Sequence, residues 1–176
     1  MQLIGNNITV RDTIDAFSTT GSFPFNANGF DVTETNIAIT DGVIFNADDA
    51  IAVQSGSHNE LFQYGTIGYQ THGMSIGSLA KGQGAYVNVS DITAVNAVHA
   101  ARFKSWQRGL GLAQNISWHR IRAYNVSFPV FVLHQLGLAR RSSRTGSWPG
   151  VRIIQASSCT ISPGTIFPDD FYISAG

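Results

Sequence analysis

The chain has 176 residues, 43% of them hydrophobic, which is enough to fill the core of one domain and leaves no room for several. Its 11 basic and 11 acidic side chains balance to a net charge of zero and only 12% of residues are charged, which argues against general nucleic-acid binding. No window approaches the ~20 apolar residues of a membrane-spanning helix.

The N-terminal Met1-Gln2-Leu3-Ile4-Gly5-Asn6-Asn7 has no basic region and no apolar stretch of a secretory signal. From there to about Leu133 the pattern is one of short β-rich runs separated by Gly, Asn, Ser, Thr and Asp. Ile8-Thr9-Val10, Phe30-Asp31-Val32, Asn36 to Ile39, Val43-Ile44-Phe45, Ile51-Ala52-Val53, Tyr86 to Val89, Ile92 to Val95, Arg102 to Trp106 and Phe128 to Leu133 all read as strands. No helical period is sustained. Phrases of the form Asn-Ile-x-x recur at Asn7, Asn36 and Asn115, at spacings in the range of solenoid repeats. Short strands, asparagine at bends and aliphatic runs point to an all-β parallel β-helix, in which each coil pairs with the next. The competing architecture is a β-sandwich, whose hairpins Asn28-Gly29 and Asp41-Gly42 could turn.

Within this pattern Asn46-Ala47-Asp48-Asp49-Ala50 stands out. Neighbouring side chains of a strand point to opposite faces, so two consecutive Asp predict a bend with both carboxylates outside. Like charges held that close push the pKa of one upward, so that one carboxyl carries a proton while its neighbour stays anionic. A glycosidase needs that division of labour. A solvated acidic turn or a weak cation site is the alternative that the pair alone leaves open.

Further along, Arg102-Phe103-Lys104 places two cations on one face of a strand with Phe103 on the other, a surface suited to a carboxylate-bearing polymer. Between Asp91 and Asp169 there is no acid, while Arg102, Lys104, Arg108, Arg120, Arg122, Arg140, Arg141, Arg144 and Arg152 make this half basic. After Leu133 the character changes: Leu138 to Gly150 is rich in Arg, Ser and Gly without alternation, so residues 134–176 read as a loop-rich tail or C-terminal cap on a 1–133 core. Val151 to Ile154 could form one last strand. Cys159 is the only cysteine, which excludes an intramolecular disulfide. Asn-x-Ser/Thr triplets at Asn7, Asn88, Asn115 and Asn125 lean toward a secreted glycoprotein, whose targeting segment would then be missing from this chain.

Four elements stand in order: Asn26-Ala27-Asn28-Gly29-Phe30-Asp31, Asn46-Ala47-Asp48-Asp49-Ala50, Thr71-His72-Gly73-Met74-Ser75-Ile76-Gly77-Ser78 and Arg102-Phe103-Lys104. Together they resemble the signature of the polygalacturonases, glycoside hydrolase family 28, and the wording around Arg102 and Phe128 is similar to fungal exo-acting members. The resemblance implies a right-handed parallel β-helix that cleaves the galacturonate backbone of pectin with inversion, without metal or cofactor. It implies Asp48 as general acid, Asp49 as the base directing water, His72 as their orienting partner, and Arg102 with Lys104 as the clamp for a substrate carboxylate. Asn28 stands where the family carries an Asp that helps to position or activate the water, and an amide cannot serve as a base. Members are also about twice this length, so the chain is expected to be a fragment, monomeric, with pectic polysaccharide as its partner and neither nucleic acid nor membrane. The alternative is a non-catalytic β-helix that binds an acidic polysaccharide through the basic strand face.

Overall fold

The structure, a computed structural model, describes residues 1–11, 13–15, 23–136, 152–156 and 171–174. In chain order the strands are β1 (Gln2–Val10), β2 (Thr13–Asp15), β3 (Phe30–Thr40), β4 (Val43–Phe45), β5 (Asp49–Val53), β6 (His58–Gln63), β7 (Thr66–Gly68), β8 (Gly73–Ser90), β9 (Thr93–Val95), β10 (Ala101–His119), β11 (Arg122–Tyr124), β12 (Val130–Leu136), β13 (Arg152–Ala156) and β14 (Phe171–Ser174). From β1 to β12 they do not fold back as hairpins. The larger sheet stacks β1, β3, β5 with β6, β8, β10 and β12 in parallel, and the smaller stacks β2, β4, β7, β9 and β11, also in parallel. Each circuit of chain therefore adds one rung to both sheets, which is the parallel β-helix expected from the sequence and not the sandwich.

Asparagine closes the circuits for a physical reason. Asn7, Asn36, Asn59 and Asn115 have φ of 59, 62, 63 and 52°, the left-handed region that Asn tolerates better than most residues. Three of them form a ladder, with Asn36 Nδ2 donating to Asn7 Oδ1 at 3.0 Å and Asn59 Nδ2 to Asn36 Oδ1 at 2.6 Å. The Asn-Ile echoes are these corners. A second corner column runs through Asp41, Tyr64 and Asp91, whose backbone N–H groups donate to Gln63, Ser90 and His119 of the following coil at 3.1, 3.2 and 3.0 Å. Asp41-Gly42 thus turns the chain between sheets of a coil.

Register aligns the apolar residues into columns that fill the bore. Val32, Val53, Ile76, Phe103 and Val132 form one, and Ile14, Ile44, Ile67, Ala94 and Ala123 another in the smaller sheet. Burying such a side chain contributes roughly 1.5–3 kcal/mol. A third column reads Ile8, Ile37, Glu60, Val87, Ile116, so one coil places a carboxyl where its neighbours place an aliphatic group.

Past β12, β14 runs antiparallel to β10 and β13 antiparallel to β14, so Arg152 to Ile154 do lie in a strand. The Arg/Ser/Gly stretch Leu138 to Gly150 and Cys159 lie outside the described residues.

Candidate active site

The site grows from the outward row of the larger sheet. Register sets Asp31, Ala52, Ser75, Arg102 and Phe131 side by side across β3, β5, β8, β10 and β12, and Asp49 opposite Gly73. Phe103 goes into the bore at 1% exposure, so Arg102 and Lys104 share the other face, as alternation requires. Four motifs far apart in sequence become neighbours because they sit on successive rungs.

The turn that carries the two aspartates is pinned from beneath. Asn46, 1% exposed, donates from Nδ2 to the carbonyls of Ala27, Asp48 and Asp49 at 2.8, 3.1 and 2.9 Å. The Thr71 hydroxyl donates to the Asp48 carbonyl at 2.6 Å. Gly73 lies against the next coil: at φ 82° a Cβ there would come within 2.6 Å of the His99 and Ala100 carbonyls.

Contrary to the expectation that both carboxylates lie outside, Asp49 is only 2% exposed. Its burial is possible because donors meet both oxygens: Ser75 Oγ at 2.5 Å and Arg102 Nη1 at 2.9 Å on Oδ1, and Lys104 Nζ at 2.6 Å on Oδ2. A buried carboxylate without such partners costs far too much to persist. Arg102 and Lys104 therefore face Asp49 first, with side chains 14% and 12% exposed. The Arg102 Nε is buried and has no partner among the described residues.

Asp48 lies nearer the surface. Its Oδ1 receives His72 Nδ1 and the Asp49 N–H, both at 2.9 Å, and its Oδ2 the Asn26 N–H at 2.7 Å. Burial raises its pKa, but the hydrogen bonds from His72 and the Asn26 N–H, with the His72 charge, outweigh that and leave it below the ordinary value. The upward shift that the close pair implied is thus not found at Asp48. Repulsion between the two carboxylates is overcome by the cations and N–H groups around them.

The backbone on either side of Asn28 meets the aspartate turn, with the Ala27 carbonyl accepting from Asn46 and the Gly29 N–H donating to the Asp49 carbonyl, while Asn28 Nδ2 donates to Asp31 Oδ1 at 2.8 Å, an oxygen that also accepts from Gln54 at 3.3 Å. The Asn28–Asp31 bond orients the amide, so that Asn28 Oδ1 is its acceptor end. Sequence reasoning had no means of finding Phe23, whose ring stacks on His72 at 5.1 Å, or His99, which packs between His72 and Phe131 at 5.7 and 4.5 Å. Both contacts join different coils. Of the other histidines that the sequence left unassigned, His58 lies in β6, His119 ends β10 and His134 lies in β12.

Not every cation of the basic half is open to a ligand. Arg120 pairs two-pronged with Asp91 at 2.7 and 2.6 Å. Ligand atoms of Asp48, Asp49 and His72 lie within 4.8 Å of one another, a geometry that could hold a metal ion. Arg102 and Lys104 already neutralise Asp49, and their charges oppose a further cation.

Comparison with known proteins gives one family model, described as glycosyl hydrolases family 28, that matches residues 1–157. A protein named probable exopolygalacturonase C from Aspergillus flavus is 54% identical over 137 residues, covering 75% of this chain and 31% of that protein. Its namesake from Aspergillus niger is 51% identical over 152 residues, 84% of this chain and 34% of that protein. Polygalacturonase-2 from Solanum lycopersicum is 37% identical over 112 residues, 61% and 24% of the two chains. The chain spans about a third of the length of the curated fungal relatives it matches.

Proposed function

The chain belongs to the glycosyl hydrolases family 28, and on that premise we propose that it carries the catalytic coils of a secreted, fungal-type exo-acting polygalacturonase. The reaction is hydrolysis of α-1,4-galacturonosyl bonds with inversion, and the partner is pectic polysaccharide bound by a monomer. The observation that carries this reading is the pairing of Asp48 with His72 at 2.9 Å directly beside an Asp49 held by Arg102 and Lys104.

Asp48 is the general acid that protonates the glycosidic oxygen, and His72 orients it and keeps a proton within one hydrogen bond. Because its hydrogen bonds hold Asp48 below the ordinary carboxyl value, the acid form requires an acidic medium. Asp49, with its oxygens fixed, directs the water, and the Asn28 carbonyl oxygen is a candidate second acceptor for it. The two aspartates, with ligand atoms within 4.8 Å, stand closer than the ~6.5–9.5 Å usual between the acid and base of inverting enzymes, so inversion rests on family membership. Arg102 and Lys104 carry two positive charges against the single charge of Asp49, so one unit remains for the carboxylate of a galacturonate residue.

Release of reducing ends from polygalacturonate tests this, with Asp48→Asn as control: release that falls at least about 100-fold in the variant supports it, general acid catalysis being worth about 10²–10⁴. The amide at position 28 favours a second reading, a β-helix that binds polygalacturonate without cleaving it. Binding without any release would establish that reading.

A further inference from the structure

His99 is used by none of the roles above, yet it is 6% exposed at the centre of the site's ring contacts. Its ring stacks on Phe131 at 4.5 Å and 27°, and lies 5.7 Å from that of His72. Phe131 in turn lies beneath the Arg102 guanidinium, 5.9 Å from ring centre to Cζ. A single imidazole thus touches both arms of the site: His72, which holds Asp48, and the Phe131–Arg102 pair, which holds Asp49.

The chemistry of its own hydrogen bond fixes its tautomer. His99 Nδ1 is 3.0 Å from the Phe128 carbonyl, which can only accept, so Nδ1 carries the hydrogen. Burial lowers the pKa of this ring, and the neighbouring charges of Arg102 and His72 lower it further against the opposing pull of the Phe128 carbonyl. A charged ring here would repel the Arg102 guanidinium that the Phe131 ring carries towards Asp49, so the neutral form suits the place. The backbone is fixed as well, with the Val98 and His99 N–H groups both donating to the Thr71 carbonyl at 2.9 and 3.3 Å.

We propose that His99 is a positioning residue: a neutral imidazole, tied through Nδ1–H to the Phe128 carbonyl, that keeps His72 against Asp48 and Arg102 against Asp49. A phenyl ring would fill the same space but would lose the tie that sets the ring plane. The idea rests on the hydrolase reading only in its kinetic arm.

Nitrogen-15 imidazole spectra of the wild-type chain give the first test. His99 is expected as the neutral Nδ1–H tautomer, and an Nε2–H tautomer would overturn the proposal whatever the variants do. In His99→Phe the protected ring N–H signal of His72 against Asp48 is expected to vanish, and in His99→Asn, whose amide can still donate to the Phe128 carbonyl, to persist. An unchanged His72 signal in His99→Phe overturns the proposal. Where the wild type hydrolyses polygalacturonate, kcat is expected to fall about tenfold or more in His99→Phe with KM little changed, and to recover largely in His99→Asn, misplacement by an ångström being able to cost ~10²-fold. A loss confined to thermal stability, with kcat and the pH profile intact, would make His99 a packing residue. If the wild type releases no sugar, the hydrolase reading fails and the two spectroscopic outcomes still decide the role of His99.

Discussion

Two aspartates adjacent in sequence occupy opposite electrostatic situations. Asp49 is closed off by Ser75, Arg102 and Lys104, while Asp48 meets His72 and two backbone N–H groups at the edge of solvent. Replacing His72 by Ala removes the main counterweight to burial, so the Asp48 titration is expected to move upward. Carboxyl carbon-13 NMR across acidic pH measures it, and an unmoved midpoint would remove His72 as the group that controls Asp48. Position 28 allows a second test. Asn28→Asp supplies the missing acceptor carboxylate, and general-base assistance is typically worth ~10²–10⁴ in rate. The new carboxylate would stand where Asn28 now lies, 2.8 Å from Asp31, so the pair would hold a proton to higher pH than either alone. The gain on polygalacturonate is therefore expected to grow as pH rises. Equal rates for wild type and variant at every pH would show that position 28 does not act on the water. At this scale the sequence was informative about residue types and silent about partners. The resemblance named Asp48, Asp49, His72, Asn28, Arg102 and Lys104; Asp48 meets His72, Asp49 meets Arg102 and Lys104, and Asn28 bonds to Asp31. The burial of Asp49, the Asn26 N–H and the Phe23 and His99 rings depend on how coils stack, which no local spacing records.

At the scale of the element, corners and columns explain why the strands stop and start where they do. Asn7, Asn36 and Asn115 each precede an isoleucine, which made the repeat legible. Asn59 makes the same left-handed corner, but Glu60 follows it, so the echo was lost. Glu60 occupies the column of Ile37, Val87 and Ile116 at 2% exposure. Its Oε2 accepts the Ile37 N–H at 3.1 Å, and Oε1 is buried without a partner among the described residues. Burial pushes this carboxyl up from 4.5 to about 7. The folded state then binds the proton more tightly than the unfolded one, so the associated stability is fully present below about 4.5 and is lost as pH rises through about 7. At 1.36 kcal/mol per pKa unit the loss is on the order of 3 kcal/mol. Glu60→Gln removes the titrating group. Its unfolding midpoint in urea is expected to vary less than that of wild type between pH 4.5 and pH 7.5. Parallel falls for both proteins would assign the pH dependence to other groups.

Across the whole molecule, the parallel β-helix brings four short motifs together by adding one rung per coil. The same stacking answers three cations of the basic half from within: Arg102 and Lys104 reach back to Asp49 and Arg120 to Asp91, each an acid on an earlier coil. That redirection could not be read from the charge distribution, which treats a run of cations as a surface. The strand repeat itself was legible because apolar residues recur at corners that asparagine marks. Leu138 to Gly150 shows in the sequence only a change of composition, with neither alternation nor a motif, and lies outside the described residues.

Proton NMR of polygalacturonate mixed with the chain tests the central claim most directly, because it reports bond cleavage and its stereochemistry together. An inverting site converts each α-linkage into a new reducing end that is first formed as the β anomer, before mutarotation equilibrates it. The inverting mechanism proposed from family membership, with Asp48 as acid, predicts early growth of the β-anomeric signal, lost in Asp48→Asn. An α anomer as first product, or a spectrum that stays that of the intact polymer while the polymer binds, would contradict it.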